Sequence, residues 1–146
     1  MTLALRTEAL TIAQALRYSG LEMCDARLLL QAVLGVARSY LAAHEERRLN
    51  PAQAAAYGAL AARRLAGEPL AYILGEREFY GLNFKVTPAT LIPRPETELL
   101  VELALAHLPQ RESCKVLELG TGSGIIAVTL AKYRPLAEIT ALDVSA

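Results

Sequence analysis

The run Glu118-Leu119-Gly120-Thr121-Gly122-Ser123-Gly124 sets three alternate glycines behind a short apolar stretch, with a carboxylate two residues ahead of the first. Asp143 follows at the end of a second apolar stretch, Glu138 to Leu142. Glycines between a strand and a helix permit a tight turn and let a ligand approach the backbone at the helix amino terminus. The dinucleotide fingerprint Gly-x-Gly-x-x-Gly fails here, because Ile125 stands at the sixth position, and no Gly-Lys-Ser/Thr follows to make a phosphate loop. A carboxylate at Glu118 disfavours a pyrophosphate and suits a cation. S-adenosylmethionine carries a sulfonium and an ammonium and no phosphate, so these residues favour it over NAD. Asp143 stands where an acid accepts hydrogen bonds from both ribose hydroxyls. The candidate cofactor-binding residues are Glu118, Gly120, Thr121, Gly122, Ser123, Gly124 and Asp143.

Positioning these groups requires a strand–helix–strand unit. Cys114 to Leu119 reads as one strand, Ile125 to Lys132 as a helix and Glu138 to Leu142 as a second strand, paired in parallel through a crossover. The apolar Val116-Leu117 and Ile139-Ala141-Leu142 read as strands buried on both faces. Ahead of them, Phe79 to Val86 alternates as strands do, and Gly81 suggests a turn between two short strands. Prolines 88, 93 and 95 hold the following segment extended. A helix then starts at Pro95, with Glu96 and Glu98 in its first turn, and runs to about Leu108.

Residues 1–66 read as helices. Ala9, Ile12, Ala13 and Leu16 share a stripe that ends at Gly20; Glu22 to Leu34 forms a second helix stopped by Gly35. Ser39 caps a short third helix. Asn50 caps a fourth, with Pro51 in the first helical position, Gly58 in its middle and Gly67 at its end. A close helix contact is one reason for a glycine at 58; plain tolerance is the other.

Three strings carry a resemblance. Gly67-Glu68-Pro69-Leu70-Ala71-Tyr72-Ile73-Leu74-Gly75, Glu78-Phe79-Tyr80-Gly81 and Leu91-Ile92-Pro93-Arg94-Pro95-Glu96-Thr97-Glu98, together with the glycine turn, resemble the release-factor glutamine methyltransferase family (PrmC, also called HemK). The likeness runs from about residue 63 to the end, and the first half resembles that family's amino-terminal domain more loosely. Glu118 departs from the pattern, whose first residue is more often Asp.

The resemblance implies an α + α/β architecture: a small helical bundle that recognises substrate (1–75), a β-hairpin linker (76–92) and the start of a doubly wound Rossmann-like methyltransferase domain (93–146). It implies S-adenosylmethionine-dependent methylation of the glutamine side-chain amide nitrogen in the Gly-Gly-Gln motif of peptide-chain release factors. Gly120 to Gly124 would line the methionine end of the cofactor, and Asp143 would bind the ribose. Arg94 would lie near the cleft, with an ion pair to Glu96 or Glu98 as its structural alternative. The family orients the amide with an Asn-Pro-Pro-Tyr segment that these residues lack; Asn50-Pro51 is a helix start. The chain therefore reads as an inactive, truncated fragment with no catalytic residue to assign, one sheet edge open and apolar surface exposed to aggregation. A monomer is expected at full length. Ribosomal-protein glutamine methyltransferase is the near alternative, disfavoured by the intact Ile92 to Glu98 string. A non-enzymatic helical binding module with a vestigial cofactor loop is another, and an NAD-linked oxidoreductase a distant one.

Composition sets the frame. The chain has 146 residues, 53% hydrophobic and 21% charged, enough apolar material for a core and against disorder. Fifteen basic and fifteen acidic residues cancel, arguing against nucleic acid or an anionic membrane as partner. Cys24 and Cys114 lack CxxC spacing, which disfavours a disulfide scaffold or a zinc site; both read as buried hydrophobes. His44 and His107 read as surface residues, and Arg47-Arg48 and Arg63-Arg64 as solvated helix faces rather than docking sites. The amino terminus lacks a signal-peptide layout, and the longest apolar stretch, Leu28 to Ala37, is too short to span a bilayer. A cytoplasmic protein is expected.

Overall fold

A computed structural model describes residues 10–144. They form two compact units that divide at Leu74 and Gly75.

The first unit is a helical bundle: α1 (Ile12–Tyr18), α2 (Met23–Leu34), α3 (Arg38–Ala43), α4 (Pro51–Leu65) and α5 (Leu70–Leu74). Thr11 and Asn50 cap α1 and α4 with full capping boxes, each completed by a glutamine three residues on. Leu29 and Leu30 of α2 pack with Ile12, Leu41, Leu49, Tyr57 and Ile73 to make the core. An ion pair between Asp25 Oδ2 and Arg64 Nε, 2.7 Å, ties α2 to α4. Ala9, the expected start of the first stripe, lies outside the described residues.

Several expectations are corrected here. The third helix begins at Arg38, and Ser39 makes no capping hydrogen bond. The segment after Pro69 folds into α5, only five residues long and too short for its periodicity to show in the sequence. Cys24 is exposed rather than buried, and Cys114 is half-buried. A Cβ at Gly58 would meet nothing within 4 Å, so no close helix contact requires that glycine.

The second unit holds the hairpin β1 (Glu76–Phe79) and β2 (Leu82–Lys85), α6 (Glu96–His107), β3 (Cys114–Leu119), α7 (Ile125–Tyr133) and β4 (Ala137–Leu142). The hairpin is antiparallel, with Phe79 opposite Leu82. Tyr80 and Gly81 join its strands with φ of 51° and 73°, the doubly left-handed pattern of a two-residue loop. Phe79 and Phe84 pack edge to face and, with Val101, Ile125 and Leu130, form the core of this unit.

Strands β3 and β4 pair in parallel, from Cys114 opposite Ala137 to Leu119 opposite Leu142. After the bundle and the hairpin, this strand–helix–strand unit is the start of an open Rossmann-like fold. Val116 and Ile139 face the core, whereas Leu117, Leu119 and Leu142 are exposed. Among the described residues the strands are covered on one face, and the expected apolar surface stands open on the other. Among the described residues, no helix is long and apolar enough to cross a membrane.

Candidate functional site

The parallel register brings the candidate residues together. Because Leu119 lies opposite Leu142, the chain leaves β3 into the glycine turn beside the point where β4 reaches Asp143. The Gly120 and Thr121 N–H groups both donate to the Leu142 carbonyl, at 2.8 and 3.0 Å. The Gly122 N–H donates to Asp143 Oδ2 at 2.7 Å, and the Gly124 N–H to the Thr121 carbonyl at 2.8 Å. Gly120, Gly122 and Gly124 have φ of 74°, 54° and 76°. Each left-handed residue would cost a side-chain-bearing amino acid about 1 kcal/mol or more. A Cβ at Gly120 or Gly122 would meet nothing within 4 Å. Backbone conformation therefore demands these glycines, and the space beside them is open.

Gly124 is also the amino-terminal boundary of α7, whose first N–H groups have no intrahelical acceptor and whose dipole favours an anionic group. Glu118 is half-buried on the Val116 face of β3, and its Oε2 is buried without a hydrogen-bond partner among the described residues. Thr121 Oγ1 is buried and unpartnered in the same way. A buried acceptor without a donor carries a desolvation cost that a bound donor would offset. An unpartnered carboxylate oxygen, unpartnered helix amides and open space beside glycine fit a ligand carrying both an ammonium and a carboxylate. Ser123 occupies the loop between these groups.

Most of the other charged residues singled out in the sequence hold local structure. Arg94 is exposed and forms no ion pair with Glu96 or Glu98. Instead, Glu98 Oε1 accepts the Tyr80 N–H at 3.0 Å and Glu78 Oε1 accepts the Gly81 N–H at 2.6 Å, so carboxylates hold both amides of the hairpin turn. The sequence places Glu98 only as a helix-dipole residue, and no local pattern signals its bond to an amide 18 residues away. Arg134 donates to the Leu105 and Leu108 carbonyls and closes the end of α6. Arg63 pairs with Glu68 at 2.5 Å, which lowers the Glu68 carboxyl below its ordinary value. Arg47 follows the turn at 44–46 rather than lying on a helix, and sits against the Tyr40 ring and hydroxyl. His44 stacks on Tyr40, and His107 Nδ1 lies 2.8 Å from the Leu103 carbonyl at the end of α6. No group of three or more His, Cys, Asp or Glu among the described residues could hold a metal.

The family model described as methyltransferase small domain matches residues 96–146, which contain β3, the glycine turn and Asp143. Residues 96–146 are thus of the methyltransferase-domain type. The model described as PrmC N-terminal domain matches residues 8–75, the helical unit. The chain is 56% identical over 127 residues to the release factor glutamine methyltransferase of Bordetella pertussis, covering 87% of this chain and 47% of that protein. It is 52% identical over 119 residues to that of Coxiella burnetii and 50% identical over 119 residues to that of Escherichia coli, each time covering 82% of this chain and 43% of the relative. The chain belongs to the release factor glutamine methyltransferase family. It spans about half the length of the curated relatives it matches.

Proposed function

We propose that this chain supplies the cofactor loop and the substrate-recognition bundle of a methyltransferase that modifies the glutamine side-chain amide of peptide-chain release factors. The observation that carries this reading is the glycine turn at the carboxyl edge of a parallel strand pair, with Asp143 beside it and unpartnered acceptors on Glu118 and Thr121. In this reading S-adenosylmethionine supplies the electrophilic methyl group. Glu118 faces its ammonium, the amides at the start of α7 its carboxylate, and Asp143 its ribose; Gly120 to Gly124 leave room for the approach. The 1–75 segment docks the substrate, 76–92 links it to the cofactor domain, and 93–146 begins that domain. A release-factor substrate places the protein in the cytoplasm.

An amide nitrogen is a poor nucleophile, because its lone pair is delocalised into the carbonyl. Methylation requires that the amide be held in line with the sulfonium methyl, its N–H groups matched by acceptors and water kept out. The Asn-Pro-Pro-Tyr segment that family resemblance assigns to this task does not occur in these 146 residues, so no catalytic residue is assigned to them.

Calorimetric titration tests the cofactor half of the reading. Saturable binding of S-adenosylmethionine, lost on Gly122→Val and absent with NAD, supports it; equal binding of NAD or no binding overturns it. Methyl transfer to a release factor by the protein containing this chain, and none to ribosomal protein, tests the substrate half.

A further inference from the structure

We propose that Asp143 is a positioning residue for the glycine loop, holding Gly122 in place before any ligand arrives, in addition to the ribose contact assigned above. The ligand half of this proposal rests on the cofactor reading; the loop half stands without it.

Three successive amides of the loop are directed onto the end of β4. Gly120 and Thr121 donate to the Leu142 carbonyl, and Gly122 continues the series onto the Asp143 carboxylate at 2.7 Å, a charge-assisted bond between exposed groups. The backbone bonds to Leu142 follow from the parallel register. The third depends on a side chain, and it reaches the middle glycine of a segment whose three glycines all have positive φ. Such a segment loses much conformational freedom on ordering. With Gly122 tethered, the loop presents its open side beside Gly120 and Gly122 in one arrangement. A carboxylate has two oxygens and about four lone-pair positions. One carboxylate can therefore hold the loop and accept from a ribose hydroxyl together, coupling the two ends of the ligand through the protein.

Amide hydrogen exchange in the ligand-free chain tests the loop half. Asp143→Ala should speed exchange at Gly122 by about tenfold, with Val116 and Ile139 unchanged, and Asp143→Asn should give a smaller effect because its carboxamide oxygen still accepts. Unchanged exchange at Gly122 in both variants overturns the proposal. If Asp143→Ala loosens the strands as well, the Asp143→Asn protein, equal in size, decides the matter by the same comparison. The ligand half is read with S-adenosylhomocysteine and its 2′,3′-dideoxy analogue. A loop-positioning role predicts that Asp143→Ala weakens both, by severalfold for the dideoxy ligand. A carboxylate that serves only the ribose predicts no effect of the substitution on that analogue, which overturns the coupling. Failure of S-adenosylhomocysteine to bind the unsubstituted chain removes the cofactor reading, while the exchange result still decides the loop role.

Discussion

Glu98 Oε1 accepts a hydrogen bond from the Tyr80 N–H at 3.0 Å, joining the first turn of α6 to the tip of the β1–β2 hairpin. Tyr80 has a φ of 51°, the positive value that a two-residue hairpin loop requires and that a non-glycine residue adopts at a cost. Its ring packs edge to face on Tyr133 of α7, with centroids 5.4 Å apart. One strained residue is thus held from two helices, and the hairpin is fastened to the rest of its own unit. Glu98→Ala should lower the stability of this unit by about 1–2 kcal/mol, and Glu98→Gln by less, because the amide oxygen still accepts. Urea unfolding of the two variants, followed by circular dichroism, checks the order.

Gly58→Ala should stabilise the helical unit by roughly 1 kcal/mol, since the position is helical and the added methyl meets open space. A higher thermal midpoint is the expected result; a lower one would show that the backbone at 58 needs glycine after all.

The Asp25–Arg64 pair bridges α2 and α4, and Arg64 Nη1 also donates to the Glu68 carbonyl. Both side chains are partly exposed, so a double-mutant cycle with Asp25→Asn and Arg64→Gln should give a coupling of at most about 1 kcal/mol, shrinking with added salt. A salt-independent coupling would place the pair in a drier setting than the structure does.

Burial pushes the Tyr57 phenol above its ordinary value, the larger influence, with the Ser19 hydroxyl acting the other way. A raised folded value means that the native state keeps its proton while the unfolded chain loses it. This contribution is complete below the unfolded phenol value and is lost as pH rises through the folded one. Stability of the helical unit should therefore fall above about pH 10, and Tyr57→Phe should flatten that fall; denaturation midpoints at neutral and alkaline pH make the comparison.

Leu117 and Leu119 are 61% and 73% exposed on the open face of the β3–β4 pair. Exposed apolar strand surface promotes association. Leu117→Lys should reduce concentration-dependent light scattering of the 146-residue chain with little loss of stability, because the side chain leaves no cavity behind. Unchanged scattering would assign any association to another surface.

Local patterns by themselves determined much of this protein. Asn50-Pro51 and Gly67 bounded α4, Cys114–Leu119 matched β3 at both ends, and the order of motifs identified the family. Caps, glycine stops and alternation act over a few residues, so a linear reading detects them. Tertiary structure decided what distant residues do for one another. The pairing of Leu119 with Leu142 brought Gly122 to Asp143, the packing of α6 brought Glu98 to the hairpin, and a one-sided core left Leu117 and Leu119 exposed. Alternating apolar residues show that a strand can be buried but not which neighbour covers it, and a carboxylate's spacing along the chain does not name the amide it will meet.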